Sequence, residues 1–88
     1  MKPNTIMIDP KDNVAIALRD IPENTPVVLQ DGSSFSTLTD IPYSHKFLLA
    51  NLGAGDNVIK YGEVIGQVNE DLQQGEWIHT HNLVVGEG

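Results

Sequence analysis

Apolar residues occur along this chain in short runs, each broken within a few positions by Gly, Pro, Asn or Asp. No window of 12 residues or more keeps the i, i+3, i+4 spacing of an amphipathic helix without such a break. Runs rich in Val, Ile, Leu and Thr between turn residues predict strands. They are expected at Thr5–Ile8, Asn13–Leu18, Val27–Gln30, Ser34–Leu38, Phe47–Ala50, Val64–Val68 and Trp77–His81. Strand alternation over 14–18 places Val14, Ile16 and Leu18 on one face, with Ala15 and Ala17 on the other. Asp31-Gly32 is expected to turn a hairpin between the third and fourth runs. The pattern predicts an all-β domain of short strands and tight turns.

A frame recurs within it: Asp or Asn, an apolar residue, two residues, Gly or Asn, two residues, an apolar residue. Asp20-Ile21-Pro22-Glu23-Asn24-Thr25-Pro26-Val27 fits, as do Asn51–Val58 and Asp71–Ile78, with Asp40–Phe47 as a shortened echo. Each copy reads as a turn that buries one apolar residue and reverses into a strand. Asn24, Gly55 and Gly75 share one slot, and Gly and Asn enter the left-handed region at least cost, so the slot calls for positive φ. The copies beginning at 20, 51 and 71 are unevenly spaced, which suits a compact domain better than a solenoid.

The composition narrows the function. Eighty-eight residues make one domain with a thin core. Net charge −7 argues against nucleic acid and anionic membranes as partners. There is no apolar run of spanning length and no secretory leader pattern at Met1-Lys2-Pro3-Asn4, so the cytoplasm is the expected compartment. With no cysteine, disulfides, thiolate nucleophiles and Cys-type zinc sites are excluded.

Candidate chemistry centres on His79 and His81. On a strand, a His-x-His pair points both imidazoles to one face, where they could grip a metal ion or divide ligand and proton-transfer roles. On spacing alone the plainer reading, two surface histidines at a strand end, is favoured. His45, in a turn between Ser44 and Lys46, would complete a set of three if the fold brings it to the pair. Asn82 either faces the other side of the strand or caps the turn. An acidic chain that holds an anion needs local positive charge, for which Arg19, Lys46 and Lys60 are candidates, each of which could equally be a solvated charge. Trp77 occupies the interior of a frame and reads as core. Tyr61-Gly62 reads as a turn, and Asp9, Asp12, Glu63, Glu70 and Asp71 as turn formers and solubilising charges. Gly53-Ala54-Gly55 lacks the helix of a phosphate loop, and Ser33 and Ser34 lack a nearby base.

The recurring frame in a small all-β chain resembles the SAF domain, a β-clip fold shared with type III antifreeze proteins and the C-terminal domain of sialic acid synthases. From Asp12 to Leu83 the resemblance tightens. Asp40-Ile41-Pro42-Tyr43-Ser44-His45-Lys46, Asp56–Gly66 with its Lys60-Tyr61-Gly62, and Gly75-Glu76-Trp77-Ile78-His79-Thr80-His81-Asn82 look like the N-terminal domain of altronate and galactarate dehydratases. They look equally like the small subunit of sulfolactate sulfo-lyase. Asn24 and Ser44 stand near positions where that family usually has Gly.

The resemblance implies a β-clip domain over 12–83, a preceding extension or edge strand over 1–11, and a tail or linker over 84–88. It implies a small subunit or N-terminal domain of a sugar-acid hydro-lyase, sharing its site with a large catalytic subunit. His79 and His81 would act as catalytic residues or metal ligands, and His45, Lys46, Lys60 and Asn82 would contact the substrate. The complete enzyme would use a divalent metal, iron(II) foremost. Other implied roles are the sulfo-lyase small subunit and a non-catalytic carbohydrate-binding or assembly module, and an isolated domain could self-associate.

Overall fold

Four turns built on one hydrogen-bonding scheme organise the chain. The computed structural model describes residues 4–30, 32 and 34–85. Within each frame the first side chain caps the partner turn. Asp20 Oδ1 accepts from Tyr43 N–H at 2.8 Å and Asp40 Oδ1 from Glu23 N–H at 2.8 Å. Asn51 Oδ1 accepts from Gln74 N–H at 2.8 Å and Asp71 Oδ1 from Ala54 N–H at 2.9 Å. The second residues exchange backbone bonds, Ile21 with Ile41 at 2.8 and 2.7 Å and Leu52 with Leu72 at 2.9 and 2.8 Å. The last residues, Val27, Phe47, Val58 and Ile78, are all 0% exposed.

The fifth residues have positive φ, as the frame requires: Asn24 62°, Gly55 91° and Gly75 94°. Ser44 has φ 69°, so Asp40–Phe47 is a full copy rather than a shortened echo. A serine held there costs about 1–2 kcal/mol, of which glycine would return all but the roughly 0.4–1 kcal/mol it loses to unfolded-chain entropy. Ser44→Gly is therefore expected to stabilise the chain by about 0.5–1 kcal/mol and raise Tm by about 2–8 °C, read by thermal unfolding.

Among the described residues there are nine strands and no helix: β1 Thr5–Ile6, β2 Val14–Ala17, β3 Pro26–Val28, β4 Ser34–Ser36, β5 Lys46–Leu48, β6 Asn57–Lys60, β7 Glu63–Val68, β8 Trp77–Ile78 and β9 Leu83–Val84. All pairs are antiparallel, in sheets ordered β1-β2-β5-β8, β3-β4 and β6-β7-β9. The expected strands are present, most of them shorter, while β7 starts one residue earlier, at Glu63. β6 and β9 are additional, each carrying only two apolar residues between turns. β3 and β4 form the expected hairpin, with Gly32 at φ 89°, whereas Asp31 and Ser33 lie outside the described residues, as do 1–3 and 86–88.

The central sheet buries both faces. Val14, Leu48 and Ile78 join Val58, Val68 and Leu72 in one cluster. Ala15, Ala17 and Phe47 join Ile21, Val27 and Ile41 in the other. The alternation expected over 14–18 holds, with Val14 in one cluster and Ala15 and Ala17 in the other, while Leu18 at the strand end is 47% exposed.

Candidate functional site

Three histidines converge on one tryptophan. β8 stops at Ile78, so His79-Thr80-His81-Asn82 is a turn and not a continuing strand. Asn82 makes the difference. Its Oδ1 accepts from His79 N–H at 2.9 Å and its Nδ2 donates to the Trp77 carbonyl at 2.9 Å. The Asn82 and Leu83 N–H groups both donate to the His79 carbonyl, at 3.0 and 2.9 Å. Asn82 is 4% exposed. Its amide is committed to the turn, which is the capping alternative.

The turn folds both imidazoles against Trp77. The His79 ring stacks on the indole with centroids 5.0 Å apart and planes at 28°, and His81 lies 5.3 Å away at 57°. His45 immediately precedes the neighbouring strand and is brought close because β5 pairs with β8 in the register Lys46↔Ile78, Phe47↔Trp77. Its ring is 5.1 Å from His79 and 5.5 Å from Trp77. Trp77 Nε1–H donates to His45 Nδ1 at 3.1 Å. Thr80 Oγ1 lies 3.2 Å from His79 Nδ1.

Positive charge gathers here on an otherwise acidic chain. Burial pushes Lys46 below the ordinary lysine value, and Lys60 adds to the effect. His79 is lowered as well, first by desolvation and then by His45, Lys46 and His81. The groups that lower these two are themselves bases. Lys60 Nζ sits 4.9 Å from the centre of the Tyr61 ring, at the end of β6. The paired turns of Asp20-Ile21-Pro22 and Asp40-Ile41-Pro42 line a shallow apolar depression, but their two carboxylates are already engaged in capping.

The imidazoles do not make a metal site unaided. Among the described residues no group of three His, Asp or Glu side chains is placed to hold an ion. The Nδ1 of His45 is taken by the indole, and the His79 and His81 centroids are 6.4 Å apart. Metal–nitrogen bonds of about 2.1 Å in tetrahedral geometry would bring two ring centroids to about 5 Å.

Trp77 is the site residue that sequence reasoning missed. It does pack on the second core cluster, as a frame residue should, yet its polar edge faces the histidines. The available signal was its indole N–H, which needs an acceptor when partly buried, two residues from a His-x-His pair.

The family profile described as "Altronate/galactarate dehydratase SAF domain" matches residues 3–86. Altronate dehydratase of Escherichia coli (strain K12) is 42% identical over 77 residues, which are 88% of this chain and 15% of that protein. Altronate dehydratase of Bacillus subtilis (strain 168) is 39% identical over the same length and shares. The (2R)-sulfolactate sulfo-lyase subunit alpha of Paracoccus pantotrophus is 48% identical over 58 residues, 64% of this chain and 87% of that subunit. The chain thus spans only 15% of the two dehydratases but most of the sulfo-lyase subunit. A nine-stranded antiparallel fold whose length is matched almost throughout by that profile belongs to the SAF domain family of altronate and galactarate dehydratases.

Proposed function

We propose that this chain forms one wall of a lyase site that a larger catalytic chain or domain completes, and that the site acts on an open-chain sugar acid. The observation that carries the reading is the convergence of His45, His79 and His81 on Trp77, with Lys46 and Lys60 as further bases beside them, on a chain of net charge −7. Like charges held together repel, and an anionic ligand relieves that repulsion. Lys46 and Lys60 would hold the substrate carboxylate. His79, kept neutral near pH 7 by its lowered pKa, would take the proton beside that carboxylate. The neighbouring carbon then loses hydroxide, which leaves as water once protonated, and the enol rearranges to a 2-keto-3-deoxy acid. A divalent ion, with iron(II) the first choice, would stabilise the enediolate in the complete enzyme, its ligands coming chiefly from the larger chain.

The extent of the match to a sulfo-lyase alpha subunit favours a second reading on the same geometry, with sulfite as leaving group and pyruvate as product.

Co-expression with a large chain of the same family, followed by assay on altronate, galactarate and sulfolactate, tests both. Turnover is expected to need both chains and to fall about 10²–10⁴-fold in His79→Ala with the complex intact. Full turnover by the large chain alone would overturn the shared site. The pH profile carries a further expectation. Protonating His79 removes the base, so the acid limb should lie below the usual histidine value of about 6.5. Deprotonating Lys46 removes the anion's partner, so the alkaline limb should lie below the usual lysine value of about 10.4.

A further inference from the structure

We infer that Trp77 is a positioning residue that fixes His45 as the Nε2–H tautomer, so that His45 serves as a hydrogen-bond donor while His79 remains the base. An indole N–H only donates, so the His45 Nδ1 it meets at 3.1 Å must carry the lone pair. A neutral imidazole then holds its proton on Nε2. Among the described residues nothing accepts from that Nε2–H, which leaves it free for an oxygen of a ligand.

The indole is held independently of the histidine. Trp77 N–H donates to Thr39 Oγ1 at 3.1 Å, the Trp77 carbonyl accepts from Asn82, and the ring lies on the second core cluster. The tryptophan therefore dictates the state of the imidazole rather than following it. The same indole stacks His79 on its face, so one rigid ring orients two histidines for different tasks: His45 through an edge hydrogen bond, His79 through stacking.

The donor role rests on the anion-site reading, but the tautomer does not, and nitrogen NMR of the full 88-residue chain separates the two. In ¹⁵N-labelled protein at pH 7.5, His45 Nδ1 is expected to show the shift of an unprotonated ring nitrogen and Nε2 that of a protonated one. A nitrogen–nitrogen coupling across the bond to Trp77 Nε1 is expected as well. Trp77→Phe, which keeps an aromatic ring on the core, should abolish the coupling and let both tautomers populate. A protonated Nδ1 in the unmodified chain would overturn the proposal without recourse to any variant. An unchanged single tautomer in Trp77→Phe would equally overturn it. Lack of lyase turnover on reconstitution, with the tautomer as stated, would overturn the shared-site reading and the donor role alone.

Discussion

Gly75→Ala is expected to destabilise the domain by about 3–5 kcal/mol, while Gly55→Ala, at the same position of another frame, should cost only about 1–2 kcal/mol. Both glycines have φ above 90°, so both replacements carry the left-handed strain. They differ in their surroundings. A Cβ on Gly55 meets nothing within 4 Å. On Gly75 it would sit 2.8 Å from the Ser36 carbonyl oxygen, 3.2 Å from Leu38 N and 3.3 Å from Thr37 Cα. These are backbone atoms, and they cannot swing aside. Gly75 also donates to Leu48 O at 2.9 Å and accepts from Leu38 N–H at 3.0 Å, so moving it disturbs β5 and the exit of β4 together. At about 4–8 °C per kcal/mol, Gly75→Ala should lose about 12–40 °C in Tm. Thermal unfolding of the two variants side by side checks this, and equal losses would refute the packing argument.

Asn82→Ala is the second large effect. It removes two hydrogen bonds at once and strands the His79 N–H and the Trp77 carbonyl. With about 1–3 kcal/mol for each of the two groups left unsatisfied, the loss should be about 2–6 kcal/mol, read as a lower urea midpoint by fluorescence of Trp77. The turn carrying His79 and His81 loses its brace, so turnover in the reconstituted enzyme should fall in those molecules that still fold. Asn82→Asp gives a sharper comparison. A carboxylate still accepts from His79 N–H but meets the Trp77 carbonyl with another acceptor, so it should be destabilising at neutral pH. That penalty should shrink as acid protonates the carboxyl and restores a donor.

How far the residues disclosed this structure depends on which physical signal each carried. The turn frame was legible because its requirements are local: a side-chain acceptor, an apolar residue and a backbone in the left-handed region. Ser44 escaped because serine does not advertise positive φ, although the residues around it fit the frame. The exposure of Leu18 was not legible, because alternation shows which residues share a face but not how far each is covered. β6 and β9 were passed over because two apolar residues make too short a run to stand out. His79 and His81 were rightly paired for a mistaken reason: Asn82, and not strand alternation, brings them to the same indole. That His45 joins them depends on the β5–β8 register, which no stretch of sequence encodes alone.

The four frames also bear on how such a domain could change its chemistry. Positions one, two, five and eight hold the caps, the paired apolar residues, the left-handed backbone and the core. The side chains at positions three, four and seven have no part in that scheme, and at six only Asp56 and Glu76 join it, accepting from the Gly53 and Gln73 N–H groups. His45 stands at six, and Lys46 and Trp77 stand at seven. His45 and Lys46, two of the groups that would meet a ligand, thus stand at positions whose side chains the frame leaves unspecified in that copy. Thr25 and Pro26 are the equivalent positions in the first frame, where neither side chain is a cap. An imidazole and an indole written there would test whether a second reactive surface can be installed while the architecture stays as it is.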